Sequence, residues 1–462
     1  EKANAAGSAA GNDAAEVRDS VEPPGKECFF PVTPDTLVEE SRKQHVERLR
    51  VVGLEKIRHG HIAVLVLAGG SGTRLGQTFP KGMLTCPDLV IPKSLFELQA
   101  ERVRKMEILA GGATKIPFVL MTSPQTDAET RDFFAKHDFF GLAKDQVHFF
   151  VQSAIPCFDR QGRILLESTS RVATAPGGNG GIYQAFSQSG LLDLLVQQGV
   201  EYVQVVTVDN IIGKLADPVL TGYAVQENAD VVVKATPKAS DQEAVGVFAI
   251  RQPGHRWGVV EYTEIGPARA AARDPVTGER KFNASNIAVH LMSMSFMKLA
   301  AKAMETYEWY HAAFKKIPSV SGPIDGVKLE AFIFDLFEFA ERFRILQVDR
   351  SSEFSPVKNA DDDSKSKRDT PFTAVRDLHQ LHTQWVLSLA CSGDHPSQQQ
   401  LQQLVISKGI VFEVAPMVSV EGEGLSDLAI VEVLRAKAEA AAPGAVITLT
   451  PSDLQTVSSS LQ

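Results

Sequence analysis

HIAVLVLAGGSGTRLG, residues 61–76, is an apolar run rich in β-branched side chains that breaks into a glycine cluster. A run that is apolar at every position, and not at every second one, suits a strand covered on both faces. It reads as a buried strand feeding a loop, and the same scheme recurs downstream. Ser94 and Glu97 have the spacing of a helix capping box, and Leu95, Leu98, Val103 and Met106 follow at roughly helical intervals. Pro117 to Met121 is the next strand, and Thr126 with Glu129 forms a second capping-box pattern opening a helix toward His137. Val147–Val151, Tyr202–Val208 and Asp230–Ala235 are further strands. Strands alternating with helices predict an α/β fold built on a doubly wound, mostly parallel sheet, with ligands at the carboxyl ends of its strands.

Composition limits what such a fold can do. The 462 residues suffice for two or three domains, and 44% hydrophobic with 22% charged residues is ordinary for a globular chain. Lys+Arg 47 against Asp+Glu 56 gives a net charge of −9, which argues against coating nucleic acid or an anionic membrane through bulk charge. Cys28, Cys86, Cys157 and Cys391 are far apart, without a Cys-x-x-Cys pair or a zinc spacing, so neither a disulfide framework nor a structural metal site is expected. The longest compact apolar run, Ile62 to Ala68, is far below the roughly 20 residues of a membrane span. No apolar leader is evident, and Ser460-Leu-Gln462 is not a peroxisomal ending, so a soluble cytoplasmic protein is expected.

The chain divides into three parts. Residues 1–58 carry a low-complexity arm to about residue 24 and a helical region from Thr33 to about Leu54. Residues 59–350 hold the strand–helix alternation. Residues 351–462 begin with a polar stretch whose run Asp361 to Asp369 reads as a solvated loop. A helix from Ala374 to Cys391, a Gln-rich linker at Ser397 to Gln403 and strand-like pieces at Val405–Val414 and Ala445–Leu449 complete a small C-terminal domain.

The glycine loop is neither common phosphate motif: it lacks a Gly-Lys-Ser/Thr ending, and Gly70, Gly72 and Gly76 are spaced G-x-G-x-x-x-G. Its physics is similar, because missing side chains let backbone N–H groups approach an anion. Arg74 adds a fork suited to phosphate oxygens and Lys81 a point charge. From Gly69 to Phe96 the bases Arg74, Lys81 and Lys93 face one acid, Asp88, so an acidic chain is locally basic here. By pattern alone the stretch is either a phosphate cradle or a plain strand-to-helix turn. Other residues are equally open: Asp209 suits a turn or cap, Pro176–Gly181 a flexible turn, and Gln152 and Glu261 exposed strand positions. On a helical wheel Lys328 to Phe343 gathers Leu329, Phe332, Ile333, Leu336, Phe337, Ala340 and Phe343 on one face, with Phe334 among glutamates opposite. Either the segment is not a regular helix or Phe334 faces a partner or pocket, while Phe332 belongs to the core.

LAGGSGTRLG (67–76), PKGM (80–83), PGGNGG (176–181), VDN (208–210), VEYTE (260–264), FNASNIA (282–288), FIFDLF (332–337) and EFSPVKNAD (353–361) occur in this order. Together they resemble the eukaryotic UDP-N-acetylhexosamine pyrophosphorylases, members of the sugar-1-phosphate nucleotidyltransferases, from about residue 60 to 391. The family commonly has Gln where this chain has Ser71. The resemblance implies a Rossmann-like mixed sheet with small N-terminal helical and C-terminal α+β domains. It implies Arg74, Lys81 and Lys358 as catalytic phosphate ligands, and a nucleotide site of Leu67, Ala68, Gly69, Gly70, Gln152, Gly178, Asn179 and Asp209. Gly246, Glu261, Tyr262, Asn286, Phe332 and Phe334 would hold the sugar, the two phenylalanines near its acetamido group. Asp209 would hold a divalent metal, Mg²⁺ or Mn²⁺.

The activity so implied joins UTP and N-acetylglucosamine 1-phosphate into UDP-N-acetylglucosamine and pyrophosphate, with no nucleic-acid or membrane partner. The attacking phosphate is already anionic, so the chemistry needs alignment and charge neutralisation more than proton transfer. The rival readings are a broader uridylyltransferase accepting N-acetylgalactosamine or glucose 1-phosphate, and a catalytically silent sugar-nucleotide sensor.

Overall fold

A computed structural model describes residues 21–112, 114–306, 310–361, 368–392 and 395–460. Most of the N-terminal arm, the greater part of the Asp361–Asp369 run and the last two residues lie outside these. The opening stretch is a strand as expected: Ile62–Leu67 is β2, with Phe29–Val32 before it as β1 and the helix Glu40–Arg58 (α1) between them. There follow helix α2 (Leu95–Leu109), β3 (Phe118–Thr122), α3 (Asp127–Lys136) and β4 (Val147–Val151). Helix α4 (Ile182–Gln188), β5 (Tyr202–Thr207), α5 (Pro218–Gln226) and β6 (Val231–Pro237) continue the alternation. An antiparallel stretch comes next, with β7 (Val247–Arg251), β8 (Arg256–Val260), β9 (Ala284–Ser293), helix α6 (Met294–Thr306), β10 (His311–Ile317) and β11 (Ile324–Glu330), before β12 (Phe343–Val348) returns to parallel pairing.

The main sheet runs β1-β12-β6-β9-β5-β2-β3-β4. Neighbours are parallel except at β9, which pairs antiparallel with both β5 and β6, so the sheet is mixed. Alternate side chains sort into two cores. Ala63, Leu65, Val203 and Val205 face α4 and α6 through Tyr183, Phe186, Phe296 and Met297, whereas Val64, Val66, Phe118 and Leu120 face α1, α2 and α5 through Leu49, Phe96, Val103 and Tyr223. Helices α1 and α5 approach closely because each brings a glycine to the contact: a Cβ on Gly53 would stand 1.8 Å from the Pro218 carbonyl oxygen, and one on Gly222 1.9 Å from that of Leu49. The N-terminal region therefore shares the sheet and its core.

Ser94 caps α2 as expected, accepting from the Glu97 N–H at 3.1 Å. Thr126 does not form the second capping box: its hydroxyl is engaged by the Ser123 N–H at 3.0 Å, in a turn that precedes α3. The segment from 328 to 343 is not a helix. It ends β11, passes through a 3₁₀ turn at Ile333–Phe339 and enters β12. The wheel placed Phe332 in the core and Phe334 opposite; instead Phe334 is buried and Phe332 half-buried, because a 3₁₀ turn has three residues per turn, not 3.6.

After the sheet come α7 (Pro371–Ser392), α8 (Pro396–Lys408), β13 (Val411–Val414), α9 (Leu428–Ala440) and β14 (Val446–Leu449). The expected Gln-rich linker is part of α8, and Val405 lies in that helix, not in a strand; Gln is a good helix former, and Leu401 and Val405 supply its buried face. β13 and β14 are parallel, and Val386, Leu401, Phe412, Val431 and Leu434 form a separate core. Glu413 ties this unit to the loop before α2, accepting from the Val90 and Ile91 N–H groups at 2.9 and 2.6 Å.

Candidate active site

The central strand β2 lies between β5 and β3, so the loop after it opens at the middle of the carboxyl edge. The loop folds back on itself: Gly72 N–H donates to the Phe79 carbonyl at 3.1 Å, Gln77 N–H to the Gly72 carbonyl at 3.0 Å, and Lys81 N–H to the Gly70 carbonyl at 3.2 Å. Arg74 is exposed on its tip and Lys81 returns beside the strand end.

Below the loop is an open cleft of about 510 Å³ lined by Leu67, Gly69, Gly70, Ser71, Thr73, Arg74, Met121, Ser123, Gln125, Gln152, Pro176, Gly178, Asn179 and Lys328. Seven of the expected residues meet there: Leu67, Gly69, Gly70, Arg74, Gln152, Gly178 and Asn179. Ala68 does not line it. Its side chain is buried in the core and its N–H is bonded to the Met121 carbonyl at 2.8 Å, as strand alternation requires one residue beyond Leu67. Gln152 is buried at the end of β4, not solvent-facing, and its amide sits against the glycine loop, where a Cβ on Gly69 would stand 2.2 Å from Nε2. Gly178 has φ +88°, and a Cβ there would stand 2.3 Å from the Ala331 carbonyl oxygen. This loop is stitched to the segment before the 3₁₀ turn by Gly180 N–H to Ala331 carbonyl (2.9 Å), Ala331 N–H to Gly177 carbonyl (2.7 Å) and Ile333 N–H to Asn179 Oδ1 (3.0 Å).

Lys81, Asp209 and Lys358 form a second cluster. Asp209 follows β5, and the Lys81 ammonium donates to its Oδ2 at 2.7 Å with both side chains largely buried. Burial disfavours the carboxylate charge, yet Lys81, then Lys358 and the Thr207 hydroxyl outweigh it and hold the group below the usual range. Lys358 arrives by backbone pairing. Asn210 bridges to Pro356, Val357 N–H donates to the Asp209 carbonyl at 2.9 Å, and the Asn210 amide bonds Glu353 and Ser355 at 2.7 and 2.9 Å. The lysine is half-buried over the Phe354 ring.

A third group lies toward β7–β9. Asn286 N–H donates to the Gly246 carbonyl at 2.9 Å, and a Cβ on Gly246 would stand 2.8 Å from Glu261 Oε1. His290, whose pKa burial pushes down to about 3, is neutral; because Asn286 Oδ1 can only accept, the proton sits on Nε2, which donates to it at 3.1 Å, and Oδ1 also accepts from the Ala288 N–H at 2.9 Å. Both bonds engage the carbonyl end of the amide. Burial, then Glu264, raise the Glu261 carboxyl, and its charge also interacts with His311, Asp335 and Lys358. Lys358 thus acts electrostatically on both Asp209 and Glu261. Phe332 and Phe334 stack at 5.0 Å and 20°. Tyr262 stands 51% exposed.

The sequence reading missed Ser71, Thr73, Met121, Ser123, Gln125 and Lys328 in the cleft wall, and His311 with Asp335. Ser71 and Thr73 lay inside the quoted loop, and Asp335 inside FIFDLF. His311 and Lys328 come from the β10–β11 hairpin, whose residues carried no local signal.

The chain matches the family of UTP–glucose-1-phosphate uridylyltransferases over residues 12–423. It is 38% identical over 417 residues to UDP-N-acetylglucosamine diphosphorylase 2 of Arabidopsis thaliana, covering 88% of this chain and 79% of that one. It is 36% identical over 411 residues to the UDP-N-acetylglucosamine pyrophosphorylase of Saccharomyces cerevisiae, covering 86% and 81%. The structure resembles the crystal structure of the uridine diphosphate N-acetylglucosamine pyrophosphorylase of Trypanosoma brucei, with a TM-score of 0.86 and 40% identity over 95% of this chain and 88% of that one. The UDP-glucose pyrophosphorylase of Leishmania major, 22% identical with a TM-score of 0.54 over 65% of this chain and 64% of that one, shares the fold.

Proposed function

Because the chain belongs to the UTP–glucose-1-phosphate uridylyltransferase family, alongside relatives named for UDP-N-acetylglucosamine synthesis, we propose that it makes UDP-N-acetylglucosamine and pyrophosphate from UTP and N-acetylglucosamine 1-phosphate. An oxygen of the sugar phosphate attacks the α-phosphorus of UTP in line. The new P–O bond forms as the bond to the β-phosphate breaks, and the electron pair leaves with pyrophosphate. No proton need move at the nucleophile, so the protein's task is to align two polyanions and offset their charge.

The observation that carries this reading is the adjacency of the glycine-loop cleft to the Lys81–Asp209–Lys358 cluster. Arg74 and Lys81 take the β- and γ-phosphates with the N–H groups of Gly69 and Gly70. Gln152, Gly178 and Asn179 border the uracil, since an amide edge both donates and accepts. Lys358, brought beside Asp209 by the segment bridged to Asn210, meets the sugar phosphate. Asn286 and Glu261 offer a donor and an acceptor to the sugar hydroxyls beside Gly246, and Phe332 and Phe334 border the acetamido group.

Nucleotidyltransferases of this family generally use a divalent metal. The described residues hold no group of three or more metal-ligating side chains. Asp209 is a single hard oxygen donor kept ionised, which suits Mg²⁺ or Mn²⁺, ions that take one or two carboxylates and complete their shell with substrate phosphates and water. Such an ion would neutralise phosphate charge. Pyrophosphate release from UTP with N-acetylglucosamine, N-acetylgalactosamine or glucose 1-phosphate, with and without Mg²⁺, tests the reading. Highest kcat/KM for the N-acetylglucosamine substrate is expected, and no pyrophosphate with any sugar phosphate overturns it.

A further inference from the structure

The β10–β11 hairpin carries a pair of side chains that the reaction above does not use. His311 begins β10 opposite Glu330, and its Nε2 lies 3.0 and 3.1 Å from the two carboxylate oxygens of Asp335. Asp335 Oδ2 also accepts the Phe332 N–H at 2.8 Å. The imidazole centroid is 4.8 Å from the Phe332 ring at a tilt of 41°, and Phe332 stacks in turn on Phe334 at 5.0 Å, so the three rings form one cluster with Phe332 in the middle. Within it Phe334 is buried and needs no further support, whereas Phe332, between the other two rings, is half-buried and has only its edge left to meet a ligand. His311 and Asp335 hold that ring from two directions, by its face and by its backbone amide. The carboxylate of Asp335 is 8% exposed, so its bond to the imidazole is poorly screened, and Glu261 feels the charge of both partners.

We propose that His311 is a positioning residue that acts through Asp335 and Phe332 to favour an N-acylated sugar phosphate over the plain hexose phosphate. The proposal rests on the reading that Phe332 and Phe334 border the acetamido group. A fixed ring offers a methyl group a preformed apolar contact, while a ring free to rock makes the ligand order it first. The plain sugar lacks that methyl and gains nothing from the ring's being fixed. His311 therefore bears on affinity for one class of substrate and not on the transfer step.

The test compares His311→Ala, His311→Gln and Asp335→Asn with the wild-type protein, using UTP with N-acetylglucosamine 1-phosphate and with glucose 1-phosphate. Loss of a hydrogen bond to a charged partner predicts about a tenfold rise in KM for the N-acetyl substrate in His311→Ala, with kcat and the KM for UTP kept within about twofold. The kcat/KM for glucose 1-phosphate stays within the same limits, so the preference falls about tenfold. His311→Gln, whose amide N–H still reaches the carboxylate, recovers part of the preference. Asp335→Asn keeps an acceptor for the Phe332 N–H and tests the imidazole contact without uncapping the turn. A purely structural pair lowers both substrates and UTP alike, and that result overturns the proposal, as does an unchanged preference in folded variants. A wild-type enzyme active on both sugars without preference overturns the reading of the acetamido site itself.

Discussion

Lys81→Met removes the ammonium that lies 2.7 Å from Asp209 while keeping the aliphatic bulk of the side chain. At that separation and an effective dielectric near 20 the gross attraction is about 6 kcal/mol, most of which offsets the cost of desolvating both groups. The pair is 16% and 14% exposed, so neither charge recovers full hydration when its partner is lost. Removing a cation preorganised against developing phosphate charge costs about 3 kcal/mol of transition-state stabilisation, or about a hundredfold in kcat. The pH profile gives a second readout. Asp209 is held below its ordinary value, so its contribution is present above the unfolded carboxylate pKa of about 3.9 and is lost as pH falls through the lower folded value. Without Lys81 the burial that opposes ionisation is countered mainly by Lys358, the folded value rises, and the acid limb of kcat moves to higher pH. Pyrophosphate release measured across the acid range for the wild type, Lys81→Met, Asp209→Asn and the double variant completes a double-mutant cycle. A kcat within about threefold of wild type, an unmoved acid limb, or strictly additive single effects would refute the coupling of this pair to the reaction.

Arg74→Ala, at an exposed tip, should lower kcat about a hundredfold with the melting temperature unchanged, and unaltered turnover refutes its role on the leaving phosphates. Gly178→Ala forces a Cβ to 2.3 Å from the Ala331 oxygen at φ +88°, so thermal unfolding should show about 2 kcal/mol or more of destabilisation, together with a raised KM for UTP; wild-type values in both sink the fit argument. Lys234 is buried between Asp217 at 2.5 Å and Glu353 at 2.7 Å, so Lys234→Met leaves two buried carboxylates facing each other. Denaturant unfolding should report a loss of about 3 kcal/mol, and a loss below about 1 kcal/mol shows that Lys214, 3.0 Å from Glu353, suffices alone.

The parallel part of the sheet was legible because a strand buried on both faces is largely apolar: β2 and β3 announce themselves that way, and β5 and β6 do so around the buried polar residues Gln204 and Lys234. The antiparallel part was not. β10 and β11 are mixed in polarity and half-exposed, with Lys315 and Lys316 at the surface, so no period marks them. The 3₁₀ turn at Ile333–Phe339 misled a helical wheel for the same reason: apolar spacing near three and near 3.6 cannot be told apart over seven residues.

For the site, the sequence by itself determined the glycine loop and its two cations, since those residues are adjacent in the chain and their backbone chemistry is local. What only the tertiary structure decided is which distant groups join them. Asp209 and Lys81 are 128 residues apart, and Lys358 reaches them because Asn210 and Pro356 form an isolated antiparallel bridge. Likewise His311 and Asp335 meet across the end of a hairpin, 24 residues apart. Charge neutralisation depends on separations of a few ångströms, and spacing along the chain carries no information about such distances once loops intervene.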